Sequence, residues 1–249
     1  MTGDGVNDSP ALKQAEVGIA VSDSTDVAKA SSSIVLTEPG TREILDAIKT
    51  SRQIYQRMLT WVIKKVAKVV QFVGLLTLGF FWLHDVLLSL LGMVLLLFAN
   101  DFVTMSLATD NVRDTSSPNL WNVRKITLAS LVIGALLVVE GVIGVFIALN
   151  YFHLGSEALQ TFVMLMLIFT SQFRVLVVRE REHFWNSRPG RELLVSSTVV
   201  ICGFVLLGVY GLIIPALKLN EVLFVLAFSA LFTLGVDFPK YYVFKKFGL

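Results

Sequence analysis

The chain opens with the stretch MTGDGVNDSP, residues 1–10, which places two carboxylates and an amide in a glycine-containing turn before a predicted helix. The polar side chains are Asp4, Asn7 and Asp8, and Pro10 favours a helix start directly after them. Backbone N–H groups at a helix N-terminus attract phosphate, and glycine lets the backbone approach it closely. Carboxylate oxygens suit Mg²⁺, and an amide donates to phosphoryl oxygens. The stretch therefore predicts a magnesium and phosphate site, although its spacing also fits an ordinary Asx-type turn before a helix.

The residues around this turn predict short, alternating helices and strands. A helix is expected at about 9–15, a strand at 17–21, a helix at 24–31 and a strand at 33–37. This order is typical of the last part of a doubly wound α/β domain whose earlier strands are missing. Two strands cannot form a core, so we expect that this segment does not fold alone.

The remaining sequence is too apolar for an ordinary soluble domain. Of its 249 residues 55% are hydrophobic and only 16% are charged, and the mean hydropathy is +0.72. After residue 58 the apolar windows are long enough to cross a bilayer core of about 30 Å. A helix starting at Thr41 is expected to lead into the first of six membrane spans, at about 59–82, 86–108, 125–150, 158–178, 193–215 and 221–238. The predicted fold is a mostly α membrane protein, a six-helix bundle preceded by a partial α/β segment.

Basic residues concentrate in alternate loops. They occur in 111–124, 179–191 and the tail after 239, whereas the loops between these carry few. By the positive-inside rule, both termini of this integral, multi-pass protein are cytoplasmic. The net charge of +2 is too small to favour a nucleic-acid partner, and the single Cys202 excludes an internal disulfide.

Asp101, next to Asn100 near the middle of the second span, is the sharpest candidate for transport. An ionisable side chain that faces lipid costs several kcal/mol, so we expect Asp101 to face the bundle interior or a cavity. Desolvation and nearby cations change proton affinity in opposite directions, so a conformational change could load and release a proton there. A structural aspartate bonded to Asn100 or a neighbouring hydroxyl is the alternative.

The first span carries a polar stripe at i, i+4 and i+7, formed by Lys64, Lys68 and Gln71, with Lys65 beside it. The stripe could supply a built-in counter-ion for Asp101, or its lysines could extend to the cytoplasmic interface. We favour the interface for Lys64 and Lys65 and leave both roles open for Lys68.

Residues 2–13, TGDGVNDSPALK, resemble the hinge signature of P-type cation ATPases, in their haloacid-dehalogenase-like phosphorylation domain. The segments 26–29, 34–40 and 51–58 resemble the plasma-membrane proton-pump branch, and Phe184–Gly190 is a further echo of it. The resemblance covers essentially the whole chain. It implies that 1–50 is the C-terminal part of the phosphorylation domain, 51–58 a cytoplasmic stalk helix and 59–249 the last six spans of a pump.

The resemblance also implies roles for individual residues. Asp4 corresponds to a Mg²⁺ ligand, Asn7 to the amide that contacts the phosphorylated aspartate, and Asp8 to the second carboxylate of the motif. Asp101 corresponds to the carboxylate that accepts and releases the proton.

Further positions follow from the same resemblance. Gln71 aligns with an arginine of plant-type pumps, so this chain departs from that gating scheme. Gln172 falls on a span that contributes to coordination sites and is a possible transport residue, whereas for Glu140 we favour a structural role.

The function so implied is that of the C-terminal portion of an ATP-driven, Mg²⁺-dependent, proton-exporting pump in the plasma membrane. The phosphorylated Asp-Lys-Thr-Gly element, the nucleotide domain and the first four spans do not occur here, so we expect this chain alone to be inactive and to need the N-terminal part of the pump as its partner. The alternatives are a P-type pump for another cation and a non-catalytic, truncated membrane module.

Overall fold

The computed structural model describes residues 1–40, 42–113, 115, 118 and 120–249. They form two compact units, Met1–Arg52 and Gln53–Leu249. The predicted helix start at Thr41 lies outside the described residues.

The first unit holds a small parallel sheet with short helices. Its strands β1 (Thr2–Gly3), β2 (Ile19–Ala20) and β3 (Ile34–Val35) lie in the order β1-β2-β3, with Thr2 opposite Ile19 and Ile19 opposite Ile34. Helices α1 (Ser9–Gln14) and α2 (Asp26–Ser31) connect them. Since parallel strands need crossover connections, this pattern is consistent with the predicted partial α/β segment of the haloacid-dehalogenase-like type.

The second unit is helical. The chain continues through α3 (Arg42–Leu83), which contributes residues to both units, and then through α4 (Leu90–Ser106), α5 (Val123–Asn150), α6 (Ser156–Val178), α7 (Arg191–Tyr210), α8 (Leu219–Gly235) and α9 (Asp237–Phe247). Among the described residues, six helices are long and apolar enough to cross a membrane, with α8 and α9 together forming the sixth. The predicted fold class is therefore confirmed.

Helix α6 is the centre of the second unit. In its most apolar window 89% of the residues are buried, against 22–44% in the other five candidate spans. A helix that is apolar all round is buried on all sides, and α6 packs against α4, α5, α7 and α8. The surrounding helices expose large apolar side chains such as Val199, Leu206 and Leu231, as expected for surfaces that face lipid.

Local sequence signals determine several helix ends. The Ser89 side chain accepts a hydrogen bond from the Gly92 N–H (3.1 Å) where α4 begins. Helix α7 ends at Tyr210, earlier than the expected 215, because Gly211 takes a left-handed conformation (φ 64°) that closes the helix.

Glycine allows α5 to approach α3 closely. A Cβ at Gly134 would lie 2.6 Å from Cβ of Val70, and one at Gly141 would lie 2.8 Å from the side chain of Leu75. Small residues at such contacts let helix backbones pack together within a membrane.

Candidate functional site

In the first unit, the turn before α1 is closed by the side chain of Asp8. Its Oδ2 accepts hydrogen bonds from the backbone N–H groups of Asp4 (3.1 Å) and Gly5 (3.2 Å). The N–H groups of Gly5 and Asp4 hold the pKa of Asp8 below its ordinary value, since they stabilise the carboxylate. A Cβ at Gly3 would lie 2.6 Å from Cβ of Asp8, so only glycine leaves room for this carboxylate. Asp8 thus organises the turn.

The side chains of Asp4 and Asn7 are exposed on the same turn. The backbone carbonyl of Asp4 accepts the N–H of Thr25 (2.9 Å), which ties the turn to the start of α2. Mg²⁺ is usually held by one or two carboxylates together with water and substrate phosphate, and this donor set suits it. Over the described ranges no three His, Cys, Asp or Glu side chains cluster as a metal site. A magnesium ion here would therefore need further ligands from water, phosphate or another part of the protein.

In the second unit, Asn100 and not Asp101 faces the interior of the helices. Asn100 is buried: its Nδ2 donates to the Leu96 carbonyl (2.7 Å), and its Oδ1 accepts from Ser171 on α6. The Asp101 side chain is 65% exposed and lies 3.6 Å from Nζ of Lys65. The expectation that Asp101 faces the interior of these helices is therefore wrong, because the adjacent helix position takes the inward direction.

The polar stripe on α3 is also placed differently from the expectation. Lys64 is buried and donates to Oγ1 of Thr104 (3.1 Å), so the preference for an interface position is wrong for this lysine. Lys68 is half-buried beside Lys65 in an apolar groove between α3 and α4. Gln71 is buried at the far end of the stripe.

Arg174, which is bonded to Gln71 at the end of this stripe, was not recognised as a candidate from the sequence. It is 1% exposed on α6, and its Nη1 donates to Oε1 of Gln71 (2.7 Å) while its Nη2 contacts Oγ of Ser171 (3.4 Å). The available signal was a lone arginine within the fourth predicted span. Arg174 lies close to the span end at Val178, where an arginine is expected to extend its guanidinium to the interface. The sequence therefore does not indicate that Arg174 is buried.

Glu140 and Gln172, the other two intramembrane candidates named from the sequence, are both fully buried. Glu140 on α5 accepts a hydrogen bond from Oγ1 of Thr170 (2.7 Å). The amide atoms of Gln172 have no hydrogen-bond partner among the described residues, so no hydrogen bond of this side chain joins it to Asn100 or Gln71.

A buried ion pair joins loops near the end of α4 that the sequence assigned to the cytoplasm. Arg179 Nε donates to Oδ2 of Asp110 (2.7 Å), and the N–H of Gly190 donates to Oδ1 (2.8 Å). Arg57 Nε donates to the Asp110 carbonyl (2.9 Å). Through these bonds Asp110 holds this loop region together.

These features define an integral, multi-pass membrane protein whose bundle carries a buried polar network, together with a small α/β unit. A comparison with protein-family models gives no match. The chain is 39% identical over 194 residues to the "Putative cation-transporting ATPase MJ1226" of Methanocaldococcus jannaschii. The aligned region covers 78% of this chain and 24% of that protein, so the chain spans about a quarter of the relative's length. The similarity supports a relationship to the cation-transporting ATPases.

Proposed function

We propose that this chain is the C-terminal portion of a P-type cation pump of the proton-exporting branch. The observation that carries the proposal is the 39% identity to a protein named as a cation-transporting ATPase, over most of this chain. The hinge-like signature at 2–13 and the six membrane-competent helices agree with it. The resemblance to the proton-pump branch implies a plasma-membrane location, and the distribution of basic residues supports a cytoplasmic position for both termini of this segment.

At the phosphate end, Asp4, Asn7 and Asp8 complete a magnesium–phosphoaspartate site whose phosphorylated residue belongs to the missing N-terminal part. Asp4 is the exposed carboxylate available to Mg²⁺, and Asn7 is the exposed amide available to a phosphoryl oxygen. Asp8 holds the turn through its two backbone hydrogen bonds. Mg²⁺, when bound, supplies charge neutralisation for phosphoryl transfer from ATP.

At the membrane end, Asp101 is the group that carries the ion. An exposed carboxylate on a span needs a covering partner or a hydrated path, since facing lipid costs several kcal/mol. The remaining spans of the pump therefore cover the exposed face of α4 that carries Asp101. They also cover the neighbouring groove, which is lined by Lys65 and Lys68.

The charges around Asp101 favour a proton over a metal cation. Lys64, Lys65 and Lys68 lie on the adjacent face of α3, and Lys65 Nζ is 3.6 Å from the carboxylate. Cationic side chains near a carboxylate oppose the binding of any cation, and they oppose a divalent metal ion most strongly because it adds twice the charge of a proton; a metal ion would also require more oxygen ligands. A proton needs only one carboxylate oxygen, and its binding leaves the side chain neutral. Moving one charge against 100 mV costs about 2.3 kcal/mol.

The relative's name specifies a cation without restricting it to the proton, so a P-type pump for another cation is the second candidate. Asn100 and Thr104 would then contribute oxygen ligands beside Asp101, and a proton gradient would not form.

The test uses the full-length pump containing this segment, reconstituted in liposomes with a luminal pH dye. We expect Asp101→Asn to abolish ATP-driven acidification while phosphoenzyme formation from ATP persists. Asp85→Asn, at an exposed carboxylate in the loop after α3, is the matched control and should pump normally. Undiminished acidification by Asp101→Asn would remove this carboxylate from the mechanism. ATP hydrolysis that responds to a metal cation without acidification would instead establish the second candidate.

A further inference from the structure

A buried carboxyl and a buried guanidinium lie close together in the second unit without forming an ion pair. Glu140 on α5 and Arg174 on α6 are 0% and 1% exposed, and each acts electrostatically on the other. Among the described residues, however, no N–O distance of 4.0 Å or less joins them. Thr170, which donates to Glu140, is one helical turn before Arg174 on the same face of α6.

The direct bonds of Arg174 go elsewhere. Nη1 donates to Oε1 of Gln71 on α3 at 2.7 Å, and Nη2 contacts Oγ of Ser171 at 3.4 Å. The guanidinium is therefore held on the α3 side, while Glu140 is held by a neutral hydroxyl.

Three polar atoms of this group have no hydrogen-bond partner in the part of the chain that the structure describes. They are Oε2 of Glu140, Nε of Arg174 and Nε2 of Gln71. Nε and Nε2 belong to the same guanidinium and amide that form the Nη1–Oε1 bond. Buried polar groups are almost always satisfied, and a buried water typically makes about three hydrogen bonds to such groups. A water molecule accepts two hydrogen bonds, so it can satisfy two of these groups while Glu140 is protonated, and it can donate to Oε2 once the carboxyl is ionised.

The protonation state of Glu140 follows from the same contacts. An ionised carboxylate in a low-dielectric interior is strongly destabilised unless a cation or several donors compensate it, and otherwise the group becomes neutral. Glu140 receives one hydroxyl donor, and the nearest cation is engaged by Gln71. Arg174 is the charged group that acts on Glu140 from the helices packed around it, since Gln71 and Thr170 are neutral.

We propose that Glu140, Gln71 and Arg174 form a buried, water-containing proton site between α3, α5 and α6, separate from Asp101. Glu140 holds a proton while Arg174 is bonded to Gln71, as in this structure. Movement of the guanidinium towards Glu140 lowers the proton affinity of the carboxyl; its O–H bond breaks, the proton leaves through the neighbouring water to bulk water, and the carboxylate that remains pairs with Arg174. The site adds a second protonatable group to the membrane domain whichever cation the proposed pump carries.

Infrared spectroscopy of the full chain in lipid nanodiscs at neutral pH tests this directly, without ATP or transport. The spectrum of the wild type minus that of Glu140→Gln should contain the C=O stretching band of one protonated carboxylic acid, shifted in D₂O. Glu157→Gln, which removes an exposed glutamate at the start of α6, is the matched control and should leave the band in place. A difference spectrum with only carboxylate bands would overturn the proposal. Glu140→Gln keeps the shape of the side chain, and far-UV circular dichroism verifies its fold.

A second variant tests the movement of the Arg174 guanidinium from Gln71 to Glu140. Gln71→Leu removes the acceptor that holds Arg174, so the guanidinium should turn to Glu140, and the protonated-acid band should be replaced by carboxylate bands. A full-strength acid band in folded Gln71→Leu would contradict the control of Glu140 by Arg174. Neither spectrum depends on the transported ion, so failure here leaves the Asp101 experiment unaffected.

Discussion

Replacing Asp110 by asparagine tests whether the buried pair at the end of α4 stabilises the membrane unit. The substitution removes the negative charge beside Arg179 Nε (2.7 Å), and both side chains are 1% exposed. Removing one partner of a buried pair costs about 3–5 kcal/mol, because the other charge is left without compensation. Arg179 also donates to the backbone carbonyl and hydroxyl of Ser187 (3.1 and 2.9 Å), and these bonds persist in the variant. We therefore expect the lower end of the range, about 3 kcal/mol.

The free energy of unfolding can be measured by titrating the protein from mild detergent into SDS, with tryptophan fluorescence as the signal. Asp85→Asn is the matched control: its carboxylate is exposed and accepts from Oγ of Ser156 (2.5 Å). A hydrogen bond at an exposed position contributes little net stability, so the control should lose at most about 1 kcal/mol.

A double variant separates the charge from the hydrogen bond to Gly190. In Asp110→Asn with Arg179→Met, no buried charge remains, so the double variant should be more stable than Asp110→Asn alone. Equal free energies of unfolding for Asp110→Asn and the Asp85→Asn control would refute the ion-pair reasoning. A double variant less stable than Asp110→Asn alone would refute it as well.

Two further predictions concern helix contacts and a second buried cation. Gly134→Ala should lower the thermal midpoint in detergent, because the new Cβ would lie 2.6 Å from Cβ of Val70 on α3, an overpacking cost of about 1–3 kcal/mol. Gly203→Ala is the control: a Cβ there would meet no neighbouring side chain or helix within 4 Å among the described residues, so alanine should raise the midpoint slightly through its higher helix propensity. Equal shifts for both glycines would contradict the close contact. Lys240→Met should destabilise the protein by about 3–5 kcal/mol, because fully buried Asp237 loses an ammonium at 2.8 Å. The exposed Lys245→Met is its control, and equal SDS midpoints for the two variants would show that the Lys240 charge is not needed.

The sequence alone was sufficient for the number and approximate position of the membrane helices. Hydropathy is a property of a continuous window of about 20 residues, so it needs no knowledge of neighbouring helices. The turn at 1–10 was equally readable, because its glycines, carboxylates and Pro10 act within a few residues of one another. The roles of Asp4, Asn7 and Asp8 in chemistry stay predictions.

Only the tertiary structure decided which polar side chains meet inside the bundle. Asn100 and Asp101 are adjacent in sequence, but successive helix residues point about 100° apart. The position of α6 therefore decides which of the two side chains is buried. Gln71 and Arg174 are 103 positions apart, and neither span alone indicates their 2.7 Å hydrogen bond. A window of hydropathy records how much apolar surface a helix carries; the direction in which each polar group points is set by the packing of several helices together.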